Sequence, residues 1–88
     1  MTVEFPNHSR SFETPENRVR FWGYDSAIEI TFFVEKAALM KIRPDTDPTE
    51  NALLSTFDSA VERIHQIARK TYKRRDHTYV YVLSADDF

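Results

Sequence analysis

Arg18-Val19-Arg20-Phe21-Trp22-Gly23-Tyr24-Asp25-Ser26-Ala27-Ile28-Glu29-Ile30-Thr31-Phe32-Phe33-Val34 is the stretch whose reading decides the fold. Its side chains alternate in character on both sides of a short turn, which is the period of a β-hairpin and not of a helix. An even-numbered loop around Asp25-Ser26 puts Val19, Phe21 and Gly23 on one face with Ile28, Ile30 and Phe32. Arg18, Arg20, Trp22 and Tyr24 then share the other face with Glu29, Thr31 and Phe33. The first face is the predicted core. Gly23 is the only glycine of the chain, and it predicts a bulge or the close approach of another element.

Working outward, Val3 and Phe5 predict a short first strand stopped by Pro6-Asn7, followed by a loop or short edge segment through Phe12. Thr14-Pro15-Glu16-Asn17 places proline where a type I turn accepts it. Beyond the hairpin, Ala37, Ala38, Leu39 and Met40 predict a short helix over about 35–41. Asp47-Pro48-Thr49-Glu50 is a helix start, with Asp47 as cap, Pro48 at the first helical position and Glu50 three residues after the cap. From there Leu53/Leu54, Phe57, Ala60/Val61, Ile64, Ile67/Ala68 and Thr71/Tyr72 keep helical spacing, predicting one long helix over about 48–73. His77 to Leu83 reads as a strand, with Val80 and Val82 facing away from Tyr79, Tyr81 and Leu83. The expected fold is α+β in a single compact domain, 1–88. A mainly antiparallel, twisted sheet of three to four strands carries the long helix on one face. With so little helix left over, the other sheet face is expected to be only partly covered.

Eighty-eight residues leave no room for a second core, and a chain of this length buries only roughly 60–65% of its unfolded surface. Seven Phe, four Tyr and one Trp compensate with large buried areas. Without cysteine there is no disulfide, thiolate nucleophile or Cys-based zinc site. The first residues lack the basic and apolar regions of a signal peptide, and no apolar run approaches the ~18–20 residues of a membrane span. A soluble, cytoplasmic protein of bacterial type with no membrane partner is the expectation.

Net charge is −2, yet its distribution is uneven. Asp45 to Glu62 holds five acidic residues and no basic one, whereas Arg63 to Arg75 holds six basic residues and no acidic one. Arg69, Lys70, Lys73, Arg74 and Arg75 are candidate phosphate contacts for a nucleic acid. The same switch is also what a helix dipole favours, with anions at its start and cations at its end, and Tyr72 falls on the apolar stripe. The outer hairpin face offers Arg18, Arg20, Trp22 and Tyr24 as candidate protein contacts, with Phe33, Tyr79 and Tyr81 extending it. Ordinary strand propensity, with arginines packed on rings across strands, accounts for the same composition.

His8, His65 and His77 share no metal-ligand spacing, and His65 beside Val61 and Ala68 reads as a partly buried structural residue. One glycine excludes phosphate-binding glycine loops, and no serine sits in a nucleophile elbow. No catalytic constellation, metal site or cofactor is predicted, although a dimer interface could still host an active site. Asp58 and Glu62 stand at i, i+4 on the predicted helix, a mildly unfavourable pair with no evident purpose.

Phe5-Pro6, Val19-Arg20-Phe21-Trp22-Gly23, Ala38-Leu39, the run from Ile64 through Ile67-Ala68-Arg69-Lys70 with Tyr72, and the closing Asp87-Phe88 occur in the order of a small bacterial family. Over nearly its whole length the chain resembles that family, domain of unknown function 1488. One departure is Glu35, where the family tends to place a serine or threonine cap before the first short helix. The resemblance implies a compact α+β fold in a bacterial cytoplasm and carries no activity with it. The expected function is a non-catalytic interaction or accessory module that self-associates as a homodimer or binds a protein partner. The alternative is nucleic-acid binding through the basic helix end.

Overall fold

The computed structural model describes residues 2–74 and 78–88, the side chains of Lys73 and Arg74 excepted. Strands β1 (Arg10–Glu13), β2 (Arg18–Asp25) and β3 (Ile28–Glu35) are followed by helices α1 (Lys36–Ile42), α2 (Glu50–Ser59) and α3 (Val61–Arg74). Strand β4 (Val80–Leu83) and a 3-10 turn at Ala85–Asp87 close the chain. The sheet order is β1-β2-β3-β4.

The hairpin forms with the predicted faces. Asp25 pairs with Ile28, leaving Ser26 and Ala27 as the loop, and Ser26 adopts a left-handed φ of 56°. Val19, Phe21, Ile30, Phe32 and Val34 are fully buried. Ile28 shares their side but stands at the hairpin tip, where it is 48% exposed. The preceding turn carries a cis Thr14–Pro15 peptide and a left-handed Asn17 rather than a trans type I geometry.

Several expectations are corrected. The sheet is mixed: β4 pairs parallel to β3, with Thr31 opposite Val80 and Val34 opposite Leu83. Alternation reveals which residues share a face but not which way a strand runs, and a helical crossover permits a parallel pair where a hairpin does not. Second, the long helix is two helices. Ala60 leaves helical geometry at φ −119°, ψ 19°, and its N–H is shared between the carbonyls of Thr56 and Phe57. Phe57 and Ile64 are both fully buried on either side of this break, so the apolar stripe runs through it unchanged. Third, α2 is capped by Thr49, whose hydroxyl accepts from the Ala52 N–H at 3.3 Å, rather than by Asp47. The short helix starts at Lys36, with Glu35 at the cap position and no side-chain cap bond.

Residues 3–5 do not form a separate strand. Glu4 exchanges two 2.8 Å backbone bonds with Tyr24, so this segment lies alongside the far half of β2, beyond the start of β1. Gly23 makes that approach possible: a Cβ there would lie 2.6 Å from the Glu4 carbonyl oxygen and 2.7 Å from the Phe5 ring. The close approach expected from the glycine is real.

One core cluster joins the inner sheet face to Ala38 and Leu39 of α1, Leu53 and Phe57 of α2, and Ile64, Ala68 and Tyr72 of α3. Phe21 stacks on Phe32 at 5.2 Å between centroids, and Phe32 on Tyr81 at 5.4 Å. Each such side chain contributes roughly 1.5–3 kcal/mol through burial alone. All three helices draw on this one face of the sheet.

Candidate functional site

Strand alternation and register define the outer face of the sheet row by row. Trp22, Thr31 and Val80 form one row across three strands, and Ser11, Arg20, Phe33 and Val82 the next. Glu13, Arg18 and Glu35 lie beyond one end of these rows, and Tyr24 with Glu29 beyond the other. Trp22, Tyr24 and Phe33 belong neither to the core cluster nor to the residues packed against it. Val80 is 54% exposed and Val82 36%, while Trp22, Tyr24, Thr31 and Phe33 are half-buried by their own neighbours.

The arginines of this face are engaged within it. Arg18 Nε donates to Glu13 Oε1 at 2.6 Å, and the guanidinium carbon sits 3.8 Å from the Phe33 ring centroid. Arg20 lies 4.6 Å over the Trp22 ring and reaches Glu29 Oε2 at 3.3 Å. Such contacts contribute about 0.5–1 kcal/mol each at exposed sites. They also occupy ring faces that a stacked nucleobase would need. The apolar part of the surface therefore lies toward β3 and β4, with an ion-paired flank toward β1 and β2.

The structure thus brings Arg18, Arg20, Trp22 and Tyr24 onto one surface. Tyr79 and Tyr81 do not extend it. Tyr81 is 2% exposed in the core, and Tyr79, 59% exposed, has the parity of Tyr81. Val80 and Val82 extend it instead. Alternation at the end of the chain places them opposite the tyrosines, and being neither aromatic nor charged they carry no contact signal in the sequence.

Arg69 is half-buried with its guanidinium carbon 5.2 Å from the Phe5 ring centroid, and Lys70 is exposed. The side chains of Lys73 and Arg74, and Arg75 entirely, lie outside the described residues. Tyr72 is buried, as its place on the stripe implied, and donates to Asp25 Oδ2 at 2.6 Å. That hydrogen bond, helped by burial, pushes the phenol up to about 12.

A second cluster ties the amino-terminal segment to the helices. Phe5 stacks on the His65 imidazole at 4.1 Å with 8° between planes, and His8 meets His65 edge-on at 5.4 Å. Burial, with His8 and Arg69 nearby and Glu62 opposing, lowers His65 to about 4. It is therefore a neutral packing residue near pH 7. Arg10 donates from Nε and Nη2 to both Asp58 oxygens at 2.8 Å, and Glu62 stands 3.5 Å from His8. The bond from Arg10 lowers the Asp58 carboxyl. The unexplained Asp58/Glu62 pair is thereby resolved: the two residues sit on different helices, each facing a basic group of the segment before β2.

Among the described residues, no group of three or more His, Asp or Glu is placed to hold a metal ion. Likewise no helix there is long and apolar enough to cross a membrane. A polar depression beside α2 is lined by Arg43, Asp45, Thr46, Asp47, Ser55 and Thr56, but the Thr46 and Thr56 hydroxyls already bond each other at 2.9 Å.

No curated protein and no solved structure matches the chain. A family model described as protein of unknown function (DUF1488) matches residues 3–83. With nearly its whole length matched, from the segment that packs on Gly23 to the last residue of β4, the chain belongs to the DUF1488 family.

Proposed function

We propose that this protein is a non-catalytic interaction module whose contact surface is the outer face of its sheet. One observation carries the reading: three helices pack on one sheet face, while on the other, among the described residues, exposed Val80 and Val82 adjoin half-buried Trp22 and Phe33 in contiguous rows. Uncovered apolar surface of this kind, rimmed by polar residues, is characteristic of protein contacts. Trp and Arg are also the residue types that dominate their energetics. The internal pairing of Arg18 with Glu13 and Arg20 with Glu29 favours a protein over a polyanion, because neither arginine is left over to neutralise phosphate.

Site-specific photo-crosslinking tests this. A photoreactive residue at Val82 should give discrete protein adducts in cells, whereas the same residue at Ser55, exposed on α2, should not. Adducts lost on adding Trp22→Ala support the outer face as the contact surface. No adduct from Val82, or equal adducts from Ser55, refutes it.

A further inference from the structure

We propose that the occupant of the outer face is a second copy of the same chain, stacked face to face about a two-fold axis. The proposal rests on the outer face being a protein-contact surface and names its partner. Three features of the structure select that partner.

The first is charge. Arg18 and Arg20 face Glu13, Glu29 and Glu35 on the same surface, so the face is nearly neutral and its cations are already matched. Two identical faces then meet without the like-charge repulsion that a strongly charged surface would impose, and a partner of one sign gains little. The second is the arrangement of that charge. Thr31, Val80 and Val82 occupy the β3–β4 side of the face, and beside them the rings of Trp22 and Phe33 lie under the guanidinium groups of Arg20 and Arg18. A two-fold axis near β4 sets Val80 and Val82 of each copy against the other and leaves the ion pairs of Arg18 and Arg20 toward the rim. That is the ordinary anatomy of an isologous interface.

The third feature is the state of the β4 edge. The Thr31 N–H donates to the Tyr79 carbonyl at 2.8 Å, so the Tyr79 backbone turns toward β3 and the Val80 backbone turns away. On that outer side the Val80 N–H donates to Thr78 Oγ1 at 3.3 Å, and the Thr78 hydroxyl donates to the Val80 carbonyl at 3.2 Å. A strand added at this edge must first displace Thr78, and β4 offers it only four residues. Edge pairing is disfavoured there, and β1, the other edge strand, also offers only four residues, which favours the face as the route to association.

The size of the face sets the strength. Two strands of eight residues and two of four, at ~4.8 Å spacing and ~3.3 Å rise, give a planar area of roughly 400 Å². That is at the low end of specific interfaces, so the dimer should dissociate in the micromolar range and exchange rapidly.

Sedimentation velocity on the full chain, from about 1 to about 500 micromolar, tests this. The expected result is a reversible shift from one-chain to two-chain mass. Trp22→Ala should raise the dissociation constant by at least about thirty-fold. Val82→Lys should abolish association across the range, and its far-UV circular dichroism should match that of the native chain, because Val82 has no place in the core. Ser55→Lys should change nothing. One-chain mass at every concentration, or a dimer indifferent to Val82→Lys, overturns the proposal. If the chain stays monomeric while Val82 crosslinks to a different protein, the second copy is refuted and the contact surface stands. If it stays monomeric and Val82 gives no adduct, both fall.

Discussion

Gly23→Ala should destabilise the fold by about 2–3 kcal/mol through the residues on which it would intrude. The added methyl would sit 2.6 Å from the Glu4 carbonyl oxygen and 2.7–2.8 Å from two atoms of the Phe5 ring. Ordinary contact begins near 3.4 Å, so the amino-terminal segment has to move by most of an ångström. That segment holds fully buried Val3, two 2.8 Å bonds between Glu4 and Tyr24, and the Phe5 ring stacked on His65. Overpacking of this kind costs roughly 1–3 kcal/mol. Each hydrogen bond lost adds about 0.5–1.5 kcal/mol, and the lower entropy of the unfolded alanine chain returns about 0.4–1 kcal/mol. For a domain of this size the net loss lowers Tm by roughly 10–20 °C. Urea unfolding gives the free energy, and amide exchange at Glu4 and Tyr24 shows where it is lost. With Phe5 displaced, the His65 titration should move up from about 4 toward its ordinary value. Native stability with undiminished protection at Glu4 and Tyr24 would falsify the reasoning, because the atoms nearest the added methyl belong to Glu4 and Phe5.

Three further outcomes follow from the same contacts. His65 is held below its unfolded value, so its contribution is complete above about pH 6.5 and is lost as pH falls toward 4, by up to about 3 kcal/mol; His65→Phe should flatten urea midpoints over that window. Tyr72 is held above its unfolded value, so stability should fall as pH rises from 10 toward 12. Tyr72→Phe should remove that slope and cost about 1–2 kcal/mol at pH 7, through loss of the bond to Asp25. The Arg10–Asp58 pair is bidentate but partly exposed, so a double-mutant cycle with Arg10→Ala and Asp58→Ala should give a coupling below about 1 kcal/mol that shrinks with added salt.

The hairpin was legible because its period, its turn and its flanking residues all agree. Inner residues Val19, Phe21, Ile30 and Phe32 are buried as their alternation required. The break at Ala60 was not legible, for two physical reasons. Alanine is the strongest helix former, and seven residues separate Phe57 from Ile64, the spacing of two turns, so neither propensity nor periodicity marks the interruption. Strand direction was equally hidden, since Val80–Leu83 has the same alternation whichever way it runs. The outer face was half legible: Arg18, Arg20, Trp22 and Tyr24 follow from hairpin parity, but Val80 and Val82 join them only once β4 is placed beside β3. Asp58 and Glu62 gained their meaning from Arg10 and His8, partners some fifty residues away that helix spacing cannot reveal.

The central claim is that the outer face is open within one chain and closes on another protein chain. Acrylamide quenching of Trp22, the only tryptophan, measures this directly. The account predicts a partly accessible indole at low micromolar concentration, shielded progressively as concentration rises, and accessible at every concentration in Val82→Lys. A Trp22 already shielded in that monomeric variant would contradict it, because the face would then be covered by the chain itself.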